Sequence, residues 1–466
     1  AVQYFQVAWC HLQGGFAKLP CLIVLQFIYA AFHLGKEIVD AAFCFDVSGR
    51  LLLRVWFCFV LLVCFPFTSP HETDTISVCA LSFRIEPTSE AFHEFTKCPA
   101  CFGDGFCPHM RNLELTGWYS RSALRSFNVK NVFMGELNGT RVVLKKLAHD
   151  SEFRQVDRRW CHSRVPCRVA DAVRTTMNTG KTDEAALLEL MATVRKEQDL
   201  TACPSSRLVR RILTMLSYSS TMIARRQGAL KPAEVVAYTV TINAEPLLLQ
   251  AFPRMDDWPF PTFLGSCGRT VVQSYEGEPL SQFELASWSL RANISLQLLD
   301  MADLMTNNPT EFALYMTDVS MDNFAVNKRG EVTLVDVENI IVVDRVQVHA
   351  EKRPGWKLRL EHREEMCHDC LNFNAEDLCS HITSDHNFYA VCSGLLAPRA
   401  FYSSHGGLLH NIPSNIDREY KLSELLATCD QPLSPKESRF AASHLLRRAL
   451  ERVLRAFPPS TADKAL

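Results

Sequence analysis

One stretch decides the fold: Asp318-Val319-Ser320-Met321-Asp322-Asn323-Phe324-Ala325-Val326, then Lys328-Arg329-Gly330, then Val332-Thr333-Leu334-Val335-Asp336. Two short apolar runs separated by a glycine turn predict a β-hairpin. The residue before the first strand and the residue after the second lie at the same end of a hairpin, so Asn323 and Asp336 are expected to converge. An amide oxygen beside a carboxylate suits Mg²⁺, which takes its other ligands from water and phosphates.

Asp318 precedes Asn323 by five residues, on the loop that leads into the hairpin. A base at this place would accept the proton of an attacking hydroxyl. The Asp, the Asn, the hairpin and the terminal Asp336 have the spacing of a protein-kinase catalytic site. Asp and Asn are also common in ordinary turns, so the stretch alone leaves two plain turns as the alternative.

Upstream features occur in the order that a kinase-like fold requires. The run 142–145, Val-Val-Leu-Lys, has the form of the strand whose lysine binds nucleotide phosphates. On the alternative interpretation, Lys145 is an edge lysine that extends its ammonium group into water. A strand at 271–275 with a hinge at 276–280 follows, and an apolar stripe predicts a helix over 294–305.

The region between Lys145 and the hinge contains both helix-like and strand-like sequence patterns. Residues 150–233 are charged and helical in character, whereas apolar runs at 236–240 and 247–252 predict strands. Asn138-Gly139 predicts a tight hairpin turn, because both residue types tolerate positive φ.

The chain has 466 residues, a formal charge of −2 and 18 cysteines. A charge so near zero gives no electrostatic reason to expect nucleic acid as a partner. Cys98, Cys101 and Cys107 lack an adjacent fourth ligand, so disulfides are favoured over zinc and no structural metal is expected. Disulfides form in oxidising compartments such as those of the secretory pathway, and glycosylation sequons at Asn138 and Asn293 point to the same pathway.

The amino-terminal part is strongly apolar. Residues 55–65 form an uninterrupted apolar run behind Arg50 and Arg54. This run is shorter than the roughly 20 residues of a membrane-spanning helix and fits the hydrophobic region of a signal peptide; a buried core element is the alternative. We predict an apolar leader over 1–68 with a signal segment at 51–67, so the chain would meet a membrane only through this segment.

The rest of the chain is predicted to form three parts. These are a Cys-rich module over 69–115, a kinase-like amino lobe with a helical insertion over 116–275, and a kinase-like carboxyl lobe over 276–460. The predicted class is therefore α+β: a divergent two-lobe protein-kinase-like fold, rich in disulfides, with an amino-terminal signal or membrane segment.

From about residue 97 to about residue 457 the chain resembles the divergent protein kinase domain family of the secretory pathway, most closely its "deleted in autism" subfamily. The resemblance implies a kinase-like fold with disulfides, passage through the endoplasmic reticulum and Golgi, and, for some members, secretion as growth or survival factors. It is carried by Lys97-Cys98-Pro99-Ala100-Cys101-Phe102-Gly103, Phe127-Asn128-Val129-Lys130-Asn131-Val132, Val142-Val143-Leu144-Lys145, Gly265-Ser266-Cys267-Gly268-Arg269, Phe312-Ala313-Leu314-Tyr315, the stretch 318–326, Val335-Asp336-Val337-Glu338-Asn339 and Asp385-His386-Asn387-Phe388-Tyr389-Ala390-Val391-Cys392.

The phosphate-binding loop departs from the kinase pattern. Its three glycine positions are occupied by Arg125, Phe127 and Lys130. Side chains at these positions keep the backbone amides from approaching a triphosphate in the usual way.

The catalytic motifs depart as well. Ser320 stands where the catalytic loop usually has a lysine, and the Asp-Phe-Gly motif reads Asp336-Val337-Glu338, which adds a negative charge beside the predicted metal site. The glutamate that pairs with the strand lysine is not decided by the sequence. The candidates are Glu152, Glu184 and Glu189.

Two hypotheses of function remain open. In the first, the chain is an atypical secretory-pathway kinase: Lys145 orients the phosphates of ATP, Asn323 and Asp336 hold Mg²⁺, and Asp318 acts as base on a hydroxyl of a secreted protein or glycan. In the second, it is an inactive pseudokinase that acts as a secreted signalling ligand for a cell-surface receptor, or as a Golgi trafficking factor. Both place the chain in the secretory pathway and expect its secretion.

Overall fold

The computed structural model describes residues 86–116, 131–162, 166–178, 180–218, 230–362, 371–400, 403, 405–433 and 437–459. The predicted signal segment at 51–67 and the altered glycine positions Arg125, Phe127 and Lys130 lie outside the described residues. Among the described helices, none combines the length and apolar character needed to cross a membrane. The described residues belong to one compact unit, residues 81–466.

Groups of strands and groups of helices follow one another along this unit. The strands are β1 (Leu113–Thr116), β2 (Val132–Leu137), β3 (Thr140–Lys145), β4 (Phe263–Cys267), β5 (Thr270–Ser274), β6 (Glu278–Pro279), β7 (Phe312–Met316), β8 (Phe324–Val326), β9 (Val332–Leu334), β10 (Ile340–Asp344), β11 (Arg359–Leu360) and β12 (Thr383–Ser384). The helices are α1 (Glu90–His93), α2 (Asp150–Trp160), α3 (Val169–Met177), α4 (Asp183–Thr193), α5 (Ser206–Tyr218), α6 (Pro232–Ile242), α7 (Glu245–Ala251), α8 (Trp288–Thr306), α9 (Arg345–Glu351), α10 (Ala375–Ser380), α11 (His386–Val391), α12 (Ser414–Tyr420), α13 (Leu422–Asp430) and α14 (Arg439–Ala456).

The first five strands form one antiparallel sheet in the order β1-β2-β3-β5-β4. The predicted hairpin turn joins β2 to β3, where Asn138 and Gly139 have φ values of 50° and 81°. In the register of the sheet, Val143 of β3 lies opposite Gln273 of β5. The strand predicted at 271–275 is therefore confirmed, and it lies beside the strand that carries Lys145.

The Cys-rich segment is bonded to this sheet. Disulfides join Cys98 to Cys101 and Cys107 to Cys267, and the second of these links the segment to β4. The disulfide interpretation is thus confirmed for these cysteines. The other disulfides of the described residues are Cys161–Cys167, Cys203–Cys379 and Cys392–Cys429.

The helices α2 to α7 lie between β3 and β4 along the chain. The prediction of strands at 236–240 and 247–252 was wrong. Residues 236–240 belong to α6, and residues 247–252 comprise the last part of α7 and its C-cap, Phe252. Residues 233–240 are buried all round the helix, so their apolar run shows no helical period that the sequence could reveal. Pro232 and Pro246 occupy first turns of helices, where proline needs no amide hydrogen.

The second half of the unit contains residues 318–336, the stretch from which the fold was predicted. β8 and β9 form the predicted hairpin, with Phe324 opposite Leu334, and β6 pairs with β8 at its other edge. β7 pairs with β10, and α8 packs against α11 and α14. β7, which leads into the loop that carries Asp318, packs against α8 and α11.

Candidate active site

Lys145, at the end of β3, is buried with 8% of its surface exposed. Its Nζ donates to Oε2 of Glu245 at 3.0 Å and lies 3.0 Å from the other carboxylate oxygen. The same Nζ donates to the carbonyl oxygen of Val335 at 2.8 Å. Lys145 therefore joins three segments, β3, α7 and the end of the hairpin, and is not an edge lysine that extends into water.

The prediction that Glu152, Glu184 or Glu189 pairs with Lys145 was wrong. Glu245, the first residue of α7, is fully buried and takes that place. Glu245 is the only charged residue between positions 235 and 252, and an isolated acid within an apolar run is the signal that could have identified it. The three predicted candidates contact the His149 backbone amide, Arg210 and Lys181, respectively.

Carboxylates crowd around this lysine, and the crowding shifts the pKa of both partners. Burial alone would lower the pKa of Lys145, but the charges of Glu245 and Asp336 outweigh burial and raise it. Burial raises the pKa of Glu245 to about 7; Lys145 opposes this rise, whereas Asp336 and Glu338 add to it. The site therefore holds more negative charge than one ammonium group neutralises.

The hairpin brings Asn323 and Asp336 together, as its length predicts. The carbonyl oxygen of Asn323 accepts hydrogen bonds from the backbone amides of Val335 at 2.8 Å and of Asp336 at 3.3 Å. Asn323 is buried, and its side-chain amide donates to the carbonyl oxygen of Asp318 at 3.5 Å. The carboxylate of Asp318 accepts from the amide of Ser320 at 3.3 Å. The residues predicted to bind metal and to act as base thus form one cluster.

Asn243, which the sequence did not single out, ties Glu338 to the start of α7. Its Oδ1 accepts from the backbone amide of Glu245 at 2.9 Å, and its Nδ2 donates to the carbonyl oxygen of Leu147 at 3.2 Å. The same Nδ2 donates to the Glu338 carboxylate. One side chain therefore links the end of β3, the helix that carries Glu245 and the motif that begins at Asp336.

The start of α11 bonds the backbone of Met316, the last residue of β7 before the loop that carries Asp318. Oδ1 of Asn387 accepts from the amide of Met316 at 3.0 Å, and Nε2 of His386 lies 2.8 Å from the carbonyl oxygen of Met316. Burial, and next the charge of His362, lower the pKa of His386 to about 3, so its imidazole is neutral and donates at Nε2. His362 in turn lies 2.8 Å from Asp385. Both polar groups of the Met316 backbone are fixed at the entrance to this loop.

A cleft of about 700 Å³ is lined by the polar residues Lys145, Asn243, Glu245, Asp336 and Glu338. Val132 and Val143 of the sheet, with Phe324 of β8, supply apolar walls, while Lys145 and Asp336 lie at its polar side. A volume of this size accommodates a nucleotide. The amide of Asn323 and the carboxylate of Asp336 are hard oxygen donors of the kind that Mg²⁺ takes, and Lys145 is the cation that a phosphate would meet, so the residues present fit Mg-ATP.

Known proteins resemble this chain over most of its length. "Divergent protein kinase domain 2A" of Xenopus tropicalis is 37% identical over 395 residues, which cover 81% of this chain and 91% of that protein. The human protein of the same name is 37% identical over 384 residues, covering 79% and 89%. The chain belongs to the divergent protein kinase domain family.

Other members of this family are more distant. Human "Divergent protein kinase domain 2B" is 26% identical over 303 residues, covering 63% of this chain and 66% of that protein. A family model described as "Protein-kinase domain of FAM69" matches residues 237–432, a range that contains Glu245, Asp318, Asn323 and Asp336. The solved structure of vaccinia related kinase 3 matches with a TM-score of 0.30 and 14% identity over 47% of this chain and 79% of that one, a likeness too low to bear on the fold.

Proposed function

We propose that this chain binds Mg-ATP in the 700 Å³ cleft and transfers the terminal phosphoryl group to a hydroxyl of a secreted protein or glycan. The observation that supports it most is that Lys145, paired with buried Glu245, and Asp336 line one cleft, while the hairpin bonds the backbone of Asn323 to that of Asp336. These are the residue types and the arrangement that phosphoryl transfer uses.

Each residue has a role that follows from its position. Lys145, held by Glu245, would orient the phosphates, and Asn323 and Asp336 would hold Mg²⁺, which neutralises charge on the phosphate oxygens when bound. Asp318 would accept the proton of the attacking hydroxyl. The fixed Met316 backbone keeps the Asp318 loop in place while the substrate binds.

A thermal-shift experiment tests nucleotide binding. The secreted protein is measured with and without Mg-ATP, beside Asp336→Ala and a control variant, Asp171→Ala, whose carboxylate is exposed on α3 and paired with Arg174. A ligand at 100 times its dissociation constant adds about 2.7 kcal/mol of stability. We expect a shift in the wild type and in Asp171→Ala and none in Asp336→Ala. The absence of a shift in the wild type at millimolar Mg-ATP would refute the proposal.

The second candidate is an inactive pseudokinase that acts as a secreted signalling ligand or a Golgi trafficking factor. Arg125, Phe127 and Lys130 at the glycine positions, together with Ser320, favour it, because these replacements remove groups that hold phosphates in kinases. Passage through the secretory pathway is proposed in either case. Disulfides such as Cys107–Cys267 and Cys203–Cys379 support it, since they form and persist in oxidising compartments.

A further inference from the structure

Gln273, in β5, is a buried amide in the wall of the candidate active site. Its side chain is 1% exposed and lines the 700 Å³ cleft. Within the part of the chain that the structure describes, its Oε1 has no hydrogen-bond partner. A buried amide oxygen without a partner is unfavourable, because its hydrogen bonds to water are lost and not replaced.

The neighbours of Gln273 on the sheet are apolar. Val143 of β3 and Phe263 of β4 lie opposite it, and cross-strand neighbours project from the same face of a sheet. Val271, two residues earlier and on the same face, is fully buried. The amide is therefore set in an apolar part of the sheet, and a partner for it would enter through the cleft.

Other polar side chains around the cleft are bonded to the protein itself. Lys145 and Glu245 pair with each other, and Glu276 accepts from Arg254 at 2.8 Å. The Oε1 of Glu245 also lacks a hydrogen bond but lies 3.0 Å from the Nζ of Lys145. Among the described residues, the Oε1 of Gln273 is buried without a hydrogen bond, so it is still available to a ligand. Such an acceptor selects for ligands that present a donor.

We propose that Gln273 selects the base of the bound nucleotide by accepting a hydrogen bond from an exocyclic amino group, as on the 6-position of adenine. This inference rests on the proposed function, because it requires a nucleotide in the cleft. With the amide oriented as in the structure, a purine with an oxygen at the 6-position presents an acceptor to Oε1 of Gln273 and leaves it unpaired. Sites built to hydrogen-bond a ligand group discriminate against analogues that lack it.

The test uses two variants of the full chain and two nucleotides. Gln273→Leu removes the amide from the cleft. Gln250→Leu is the matched control, because Gln250 of α7 is also buried with an unpartnered Oε1 but does not line the cleft. Dissociation constants are measured for Mg-ATP and for the Mg complex of purine riboside triphosphate, which lacks only the 6-amino group, and melting temperatures are measured without ligand.

Three results are expected. Gln273→Leu binds Mg-ATP roughly tenfold more weakly, equal to about 1.4 kcal/mol, and binds purine riboside triphosphate as the wild type does. Its melting temperature without ligand rises by about 2–4 °C, because an unpaired buried amide is gone. Gln250→Leu leaves both dissociation constants unchanged.

Distinct results overturn the inference and the proposed function. If the wild type binds Mg-ATP and Gln273→Leu binds it equally well, or if the wild type binds purine riboside triphosphate at least as tightly as Mg-ATP, the inference is wrong and the nucleotide site stands. If the wild type binds none of these nucleotides at millimolar concentration, the proposed function is wrong and the inference is wrong with it.

Discussion

Replacing Glu245 with glutamine tests whether carboxylates crowd Lys145. The pKa of Glu245 rises from its ordinary value of 4.5 to about 7, first because the group is buried and also because Asp336 and Glu338 are close. The folded protein therefore holds this proton more tightly than the unfolded chain does. The stabilising effect is complete below about pH 4.5 and is lost as the pH rises through 7.

The magnitude follows from this shift. A rise from 4.5 to about 7, at about 1.4 kcal/mol for each pH unit, corresponds to about 3 kcal/mol. Glutamine resembles the protonated form of Glu245, and Asp336 still neutralises Lys145. At pH 7.5 we expect Glu245→Gln to have a free energy of unfolding up to about 3 kcal/mol above that of the wild type. At pH 4.5 we expect the two to be equal.

Lys145→Met is the opposite perturbation. It leaves Glu245 buried beside Asp336 and Glu338 without their cation, and loss of one partner of a buried pair costs about 3–5 kcal/mol. Urea denaturation at pH 4.5 and 7.5 measures both variants. Glu189→Gln, whose side chain is exposed, is the control that should change neither value. Equal losses of stability in Glu245→Gln and Lys145→Met at pH 7.5 would refute the reasoning, because an ordinary ion pair behaves in that way.

Two further predictions concern other parts of the chain. The guanidinium of Arg439 donates a hydrogen bond to the fully buried carboxylate of Asp385, and Arg439→Leu removes this donor. The free energy of unfolding measured in urea should therefore fall by about 3–5 kcal/mol, and a fall below about 1 kcal/mol would contradict this. Asn138 lies in an exposed turn, whereas Asn293 lies in α8 beside fully buried Ser295, so we expect a glycan on Asn138 alone of these two sites. In protein made through the secretory pathway, N-glycosidase should therefore shift the electrophoretic band of the wild type and of Asn293→Gln but not of Asn138→Gln. A shift that persists in Asn138→Gln would show this site assignment to be wrong.

The parts of the site that the sequence predicted are local in the chain. Asn323 and Asp336 are joined by a short hairpin, so the apolar pattern and the glycine turn are enough to bring them together. The strand that carries Lys145 follows in the same way from the Asn138-Gly139 turn. In each case the residues that decide the geometry are close to the residues that it positions.

The parts that the sequence missed depend on distant contacts. Glu245 lies 100 residues from Lys145, and no local pattern specifies which acid crosses that distance. Residues 236–240 are enclosed on all sides by other helices, and full burial removes the polar face by which a helix is recognised. Gln273 is likewise one polar residue in a strand-like run, and its significance appears only when the cleft beside it is known.

The side chain of Asn243 has a consequence for regulation. Many kinases are switched off when the helix that carries the pairing glutamate moves away from the strand lysine. Here one amide caps the backbone of Glu245 and also bonds the Glu338 carboxylate and the Leu147 carbonyl, so this helix cannot move away from β3 without breaking either the cap or the two contacts to other segments. We therefore expect control to act on the amount of the protein and on access to its ligand, and not on the geometry of the cleft.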